Sequence, residues 1–218
     1  MQRLNNQTLA NVTGVASTPG YDRANSKAGI VHLGIGAFHR AHQAWYTEAL
    51  LNKGASGWQI IGASLRSPTV KDQLAEQDGL YTIVERGPEG EKIQVVGAVK
   101  DVLVGPESPA ELLAVMADAQ VKIVSLTVTE KGYCHDPASG NLNLSNADIK
   151  HDLANPGSPK SAIGFIVAAL DARRQAGVDS FTVLSCDNLP NNGEVLEKVT
   201  LQYAGQVSDE LAAWIRAN

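Results

Sequence analysis

Cysteine is scarce in this chain. Its two cysteines, Cys134 and Cys186, lie far apart and do not form the C-x-x-C pair of a metal or redox motif. This separation favours free thiols in a reducing compartment over a disulfide.

Long apolar runs and clusters of basic residues are also missing. No stretch reaches membrane-spanning length, and residues 1–10 lack the apolar core of a signal peptide. The formal net charge is −5, from 18 Lys and Arg against 23 Asp and Glu. We therefore expect a cytoplasmic protein with neither a membrane anchor nor a nucleic-acid partner.

The rest of the composition is that of an ordinary globular protein. Of the 218 residues, 44% are hydrophobic and 19% are charged, which is enough apolar material for the core of one domain. Residues 1–28 are rich in Asn, Ser, Thr, Gly and Pro, and this composition predicts an arm that packs on the domain surface. The regular hydrophobic pattern then predicts a single domain over residues 29–218.

Strand and helix patterns alternate through this domain. Strands are predicted at 30–34, 58–65, 121–126 and 181–185, and helices at about 38–53, 69–77, 107–117, 160–176, around 195–203 and at 208–217. Residues 80–84 and 93–96 predict a hairpin, and 133–159 predict a long loop. The alternation predicts an α/β fold of the Rossmann type, with a doubly wound, mostly parallel sheet and an inserted β-hairpin.

Two glycines follow the first predicted strand. Gly34 and Gly36 lead from Ile30–Leu33 directly into a helical pattern. In a Rossmann unit the first glycine makes the tight turn, and the second lets the backbone approach a pyrophosphate that faces the free N–H groups of the helix start. His39 occupies the position of the third glycine in G-x-G-x-x-G. The motif alone therefore leaves two interpretations open, dinucleotide binding and a purely structural turn.

Three clusters follow strands at the carboxyl edge of the predicted sheet, which is where such folds bind ligands. They are residues 34–40, 127–133 and 185–188. Their coincidence on one edge favours the dinucleotide interpretation.

The same three segments resemble the mannitol dehydrogenase family, the polyol-specific long-chain dehydrogenases that include fructuronate reductase (mannonate oxidoreductase). The segments read GIGAFHRAHQ from Gly34, TVTEKGY from Thr127 and SCDNLPNNG from Ser185, and the resemblance runs from about Tyr21 to the end. It implies NAD-dependent oxidation of a polyol or sugar acid at a secondary alcohol, or the reverse ketose reduction, without a catalytic metal. Within the family, the sequences of residues 64–68 and 130–133 resemble the sugar-acid branch more closely.

The resemblance covers only the N-terminal half of the family pattern. It implies a general-base lysine, with asparagine and histidine companions, in a helical C-terminal domain that is missing from these 218 residues. We therefore expect the chain to be the nucleotide-binding portion of a longer enzyme and to be inactive alone.

The motif and the resemblance together select the candidate cofactor-binding residues. They are Gly34, Ile35, Gly36, Phe38, His39 and Arg40 at the first turn, Arg66 after the second strand, and Thr129, Glu130 and Lys131 in the central cluster. We expect the side chains of His39 and Arg40 to contact phosphate, although a solvated or ion-paired helix position is an equal alternative for Arg40. Arg66 stands where an NAD enzyme usually carries Asp or Glu, which keeps NADP open although the family favours NAD.

Asn188 is the candidate catalytic residue. Its side-chain amide is suited to donate to the oxygen that carries negative charge as hydride leaves or arrives, and the resemblance supports this role. The alternative is an Asx turn that closes the strand, and we expect the neighbouring Asp187 to shape the loop. His39 and His42 have the spacing of a metal-ligand pair but lack a third ligand, so we expect no metal site.

Two other functions stay open. One is a stand-alone nucleotide-binding module without catalysis. The other is an S-adenosylmethionine-dependent methyltransferase, for which Asp187–Pro190 is a poor match to the usual Asn/Asp-Pro-Pro-aromatic motif. The missing carboxylate after the second strand also argues against that class.

Overall fold

A computed structural model describes residues 2–218. Its strands are β1 (Ala28–Leu33), β2 (Gln59–Ser64), β3 (Tyr81–Gly87), β4 (Gly90–Val96), β5 (Val99–Val104), β6 (Ile123–Leu126) and β7 (Thr182–Ser185). Its α-helices are α1 (Ala37–Ala41), α2 (Gln43–Asn52), α3 (Thr69–Ala75), α4 (Pro109–Ala117), α5 (Ala147–Ala154), α6 (Ala162–Ala176), α7 (Asn192–Val207) and α8 (Asp209–Ala217). Short 3-10 helices cover Leu9–Asn11 and Glu130–Tyr133.

The main sheet has the strand order β5-β2-β1-β6-β7, and all its neighbours pair in parallel. The chain moves outward from β1 to β2 and β5, and then returns to the other side of β1 with β6 and β7. This reversal creates a topological switch point between β1 and β6, which is where open α/β sheets bind ligands. The predicted fold class is therefore confirmed, and the hairpin β3–β4 forms a separate antiparallel sheet.

Both faces of the sheet are covered, which explains why β1 is almost continuously apolar. One core is formed by residues of α4, α6, α7 and α8 packed on the sheet, with Phe165 and Leu112 among its fully buried members. The other core joins α2 and α3 to the sheet and to the end of β4 through Leu51, Leu74 and Val96.

Three local predictions were wrong. The edge strand β5 was not predicted because Lys100 and Asp101 interrupt its apolar pattern, and both residues are exposed. The predicted loop 133–159 contains α5, an eight-residue helix capped by Asn146, whose side chain accepts from the N–H groups of Asp148 and Ile149. The helix predicted over 38–53 is divided into α1 and α2 because His42 has non-helical torsions, with φ −122° and ψ −81°.

The N-terminal arm lies against the hairpin and α2. Ser17 pairs with the hairpin, since its N–H donates to the Ile93 carbonyl at 3.0 Å and its carbonyl accepts from Val95 at 2.8 Å. The hydroxyl of Tyr21 donates to the buried carboxylate of Glu48 at 2.7 Å. Over residues 2–218, none of the helices has both the length and the apolar character of a bilayer span.

Arg173 in α6 joins three elements from inside the fold. Its side chain is 1% exposed and donates to the backbone carbonyls of Met116, Asp118, Val121 and Asp179. These carbonyls lie at the end of α4, just before β6 and just before β7. One guanidinium therefore satisfies the polar groups at the amino ends of two adjacent strands.

We expect Arg173→Met to lower the free energy of unfolding by about 3–5 kcal/mol, because it leaves several buried carbonyls without a donor. Urea denaturation measures the change. Arg174→Met is the matched control, since the neighbouring guanidinium pairs at the surface with Asp171 and Glu210 and should cost less than about 1 kcal/mol. Equal losses in the two variants would contradict the central role of Arg173.

Candidate functional site

The turn after β1 requires glycine at position 34. Gly34 has φ +92°, and a Cβ built there would lie 2.2 Å from the Thr127 carbonyl oxygen. Its N–H donates to the Ala63 carbonyl at 2.8 Å, so the turn is held between the ends of β2 and β6. Both the backbone conformation and the close approach therefore exclude a side chain.

Gly36 differs from Gly34 because nothing inside the protein demands a glycine there. Its φ is −81°, which any residue adopts. A Cβ would come no closer than 3.8 Å to another heavy atom, the Gly34 carbonyl oxygen, and the position is exposed. A side chain at Gly36 would fill only the open space in front of the turn.

The first amides of α1 border this space. Arg40 is the first residue whose N–H reaches back along the helix, to the Gly36 carbonyl at 3.2 Å. No acceptor within residues 2–218 pairs with the N–H groups of Ala37, Phe38 and His39. The turn therefore presents free donors beside the open space that a side chain at Gly36 would occupy.

Asp187 organises the loop that faces this turn. Its carboxylate accepts from the N–H groups of Val128 and Thr129, each at 3.0 Å, and from the Tyr133 hydroxyl at 2.9 Å. The expectation that Asp187 shapes the loop is confirmed. These three hydrogen bonds, here called the Asp187 clamp, hold Thr129 at φ +66°, a conformation that β-branched residues rarely adopt.

A polar network that sequence reasoning missed lies beneath the turn. The ring of His32, fully buried in β1, contacts the Ser125 hydroxyl through Nδ1 and the Thr127 hydroxyl through Nε2, both at 2.8 Å. Thr127 in turn donates to the Gly34 carbonyl at 2.8 Å. A histidine within an otherwise apolar central strand was the available signal. Burial, with a smaller contribution from His39, lowers the pKa of His32 well below its usual value.

His39 corrects one prediction. Its ring is 1% exposed and stacks on His32 with 3.6 Å between the ring centroids, so the imidazole faces the interior instead of a phosphate. Burial, followed by the charge of Arg40, lowers the pKa of His39 to about 3. Only the backbone N–H of His39 remains at the front of the turn.

Ile35 and Arg40 also act within the turn. Ile35 is buried against Gly62, where an added Cβ would lie 2.2 Å from Ile35 Cδ1, and its N–H approaches the Ala63 carbonyl at 3.3 Å. Arg40 Nη1 donates to the Ile35 carbonyl at 2.9 Å, a contact that neither proposed role for Arg40 had anticipated. Both side chains therefore stabilise the turn from behind.

The remaining predicted residues are exposed at the carboxyl edge of the sheet. They are Phe38, Arg66, Thr129, Glu130, Lys131 and Asn188. The first turn contacts Thr127 and Val128, and Val128 and Thr129 are bonded to Asp187, whereas no hydrogen bond joins Arg66 to the turn within the described chain. The Asn188 side chain makes no hydrogen bond within residues 2–218, so the alternative of an Asx turn is not formed. The described residues also hold no group of three His, Cys, Asp or Glu side chains suited to a metal ion.

A parallel sheet with a glycine turn at its switch point, backed by a clamped loop on the next strand, defines a Rossmann-type nucleotide-binding domain. The model of the mannitol dehydrogenase Rossmann domain family matches residues 28–218, and the chain belongs to this family. The resemblance stated from the three motifs is therefore confirmed.

Characterised relatives support the same family. The chain is 48% identical over 204 residues to D-mannonate oxidoreductase of Escherichia coli strain K12, covering 92% of this chain and 42% of that protein. It is 42% identical over 217 residues to polyol:NADP oxidoreductase of Gluconobacter oxydans, covering 97% of this chain and 44% of that protein. The methyltransferase alternative receives no support from these matches.

A solved structure shares the fold in detail. Mannitol 2-dehydrogenase of Pseudomonas fluorescens, in a ternary complex with NAD and D-mannitol, superposes with a TM-score of 0.95 at 44% identity. The superposition covers 100% of this chain and 45% of that structure. The chain thus spans less than half the length of the relatives it matches.

We expect His39→Phe to flatten the pH dependence of stability. Between the lowered pKa of about 3 and the ordinary value of 6.5, the unfolded chain binds a proton that the folded chain excludes. The free energy of unfolding therefore falls as the pH drops below about 6.5, by up to about 1.4 kcal/mol per unit for this group.

Urea unfolding at about pH 7 and about pH 5 should show the Phe variant losing roughly 2 kcal/mol less than the original chain. Between about pH 8 and pH 9 the two proteins should behave in parallel, since histidine is neutral in both states there. Equal losses in acid would contradict the buried, neutral state of His39.

Proposed function

We propose that this chain binds NAD at the turn between β1 and α1, as the cofactor-binding part of a dehydrogenase acting on a secondary alcohol of a polyol or sugar acid. The observation that carries the proposal is the open space at Gly36, beside free amides, in a member of this family. NAD supplies the acceptor for the hydride that leaves the alcohol carbon.

The residues of the turn suit a diphosphate. The N–H groups of Ala37, Phe38 and His39 are donors without partners in the described chain, and the absent side chain of Gly36 allows close approach. The neutral state of the buried His39 means that backbone dipoles, and not its imidazole, supply the attraction.

The loop after β6 is suited to the other end of the cofactor. Thr129, Glu130 and Lys131 are exposed there, and the Asp187 clamp fixes the backbone that carries them. We propose that they contact the nicotinamide half of NAD. Asn188, exposed beside the clamp, is proposed to donate to the substrate oxygen as negative charge develops on it.

The choice between NAD and NADP rests on the end of β2. Arg66 is exposed there, and no carboxylate follows the strand. One relative is named a polyol:NADP oxidoreductase, whereas the similar solved structure is a complex with NAD. We propose NAD, and parallel titrations with NADH and NADPH test it. Tighter binding of NADPH, lost in Arg66→Ala, would reverse the assignment.

We further propose that the substrate is a polyol or sugar acid, that the general base lies outside these 218 residues, and that the protein is cytoplasmic. Relatives named D-mannonate oxidoreductase and mannitol 2-dehydrogenase support both substrate classes.

We expect Gly36→Ala to weaken NADH binding at least about tenfold, because its methyl group occupies the space in front of the turn. The free energy of unfolding should change by less than about 1 kcal/mol, since the Cβ meets nothing closer than 3.8 Å. Fluorescence titration of NADH and urea denaturation measure the two quantities.

Two further glycine variants serve as controls. Gly205→Ala, within α7 and with no neighbour within 4 Å of the added Cβ, should leave NADH affinity unchanged. Gly34→Ala should instead destabilise the fold, because of its φ and its contact with Thr127. Unaltered NADH affinity in a folded Gly36→Ala protein would refute the proposed site.

We expect the 218-residue chain to bind NADH without reducing fructuronate or fructose. The expectation follows from the missing base, and following NADH absorbance with each ketose tests it. Sustained turnover by this chain alone would show that the base lies within it.

A further inference from the structure

His32 is the least expected residue of the central strand. It lies in β1 with neighbours on both sides, its ring is fully buried, and every hydrogen bond of that ring runs to β6 or to the residue that follows it. Burying an imidazole in the middle of an apolar sheet carries a desolvation cost that a valine would avoid. The contacts of the ring indicate what offsets this cost.

The directions of these hydrogen bonds follow from chemistry. A carbonyl only accepts, so the single hydroxyl hydrogen of Thr127 is donated to the Gly34 carbonyl. Thr127 must then accept from His32 Nε2, which therefore carries the proton, and Nδ1 accepts from the Ser125 hydroxyl. The donors form one ordered chain that runs from Ser125 through His32 and Thr127 to Gly34.

The last acceptor in this series of hydrogen bonds is the Gly34 carbonyl, which shapes the glycine turn. The Gly34 oxygen also accepts from the Gly36 N–H at 2.6 Å, while the Gly34 N–H is held by Ala63. Its two donors, the Thr127 hydroxyl and the Gly36 N–H, restrain the peptide in front of Gly36. The ring of His39, the third residue of α1, rests on the same histidine at 3.6 Å.

We propose that His32 is a positioning residue for the dinucleotide, acting through Thr127 to hold the glycine turn in its anion-binding shape before the cofactor arrives. The inference rests on the proposed function, since it explains how that site is prepared. Neither side chain needs to touch the cofactor. The contribution to affinity comes from avoiding a rearrangement of the turn on binding.

The test removes one hydroxyl and keeps its shape. Thr127→Val should raise the dissociation constant for NADH about tenfold, since it interrupts the series of hydrogen bonds and leaves the His32 N–H without an acceptor. Thr127→Ser retains the hydroxyl and should stay within about threefold of the original chain. This rescue separates positioning from simple packing.

Thr200→Val is the matched control. Thr200 is buried, lies in α7, and its hydroxyl has no hydrogen-bond partner within residues 2–218. Its replacement should leave NADH affinity unchanged. Urea denaturation of both Val variants shows whether any loss of affinity merely follows a loss of stability, and an equal loss of affinity in the two would overturn the proposal.

A second measurement needs no cofactor. Long-range proton–nitrogen NMR of the original chain should show His32 as the neutral tautomer protonated at Nε2, and a proton at Nδ1 would overturn the donor chain. If Thr127→Val does not fold, this measurement and Ser125→Ala, expected to weaken NADH binding about threefold, decide the matter.

The outcomes also separate the two proposals. If the original chain and Thr127→Val bind NADH equally well, the positioning role alone is contradicted. If the original chain binds neither NADH nor NADPH, both the proposed function and the positioning role are contradicted.

Discussion

The close approach of the first turn to the end of β6 is the constraint on which the site depends. At Gly34 the backbone passes so near the Thr127 carbonyl that a Cβ would stand 2.2 Å from the oxygen. This contact lets the Thr127 hydroxyl reach the Gly34 carbonyl, and it brings the two sides of the switch point together. The turn, the loop after β6 and the histidine beneath them therefore form one unit.

β6 is secured at both ends by charged side chains that bond to backbone. At its amino end Arg173 donates to the carbonyl of Val121, and beyond its carboxyl end Asp187 accepts from the N–H groups of Val128 and Thr129. Donors thus meet carbonyls at one end and an acceptor meets amides at the other. A four-residue strand flanked by such contacts is a firm support for a site built on its carboxyl edge.

The interior beneath the turn is polar but neutral. His32 and His39 stack on one another, and burial lowers the pKa of each. Two neutral rings can lie face to face in the core without the repulsion of like charges. The donors at the front of the turn are therefore backbone amides, the groups with which Rossmann turns bind anions.

Much of the fold was readable from local patterns. Hydrophobic periodicity indicated four of the five parallel strands, the hairpin and most helices, and the spacing of Gly34 and Gly36 indicated the turn. β5 escaped because edge strands tolerate charge, as at Lys100 and Asp101. The sequence pattern missed α5 because its eight residues span too few turns to show a helical period, and because the helix depends on a cap from Asn146.

The sequence by itself determined the fold class, the family and the edge of the sheet that carries the site, because periodicity and short motifs are local properties of the chain. Only the tertiary structure decided where the side chains of this edge point. His39 follows the glycine motif in the sequence yet faces the core, and His32 shares no motif with Ser125 or Thr127 yet is bonded to both. Such contacts join residues more than 90 positions apart, and the pairing of β1 with β6 alone brings them within reach.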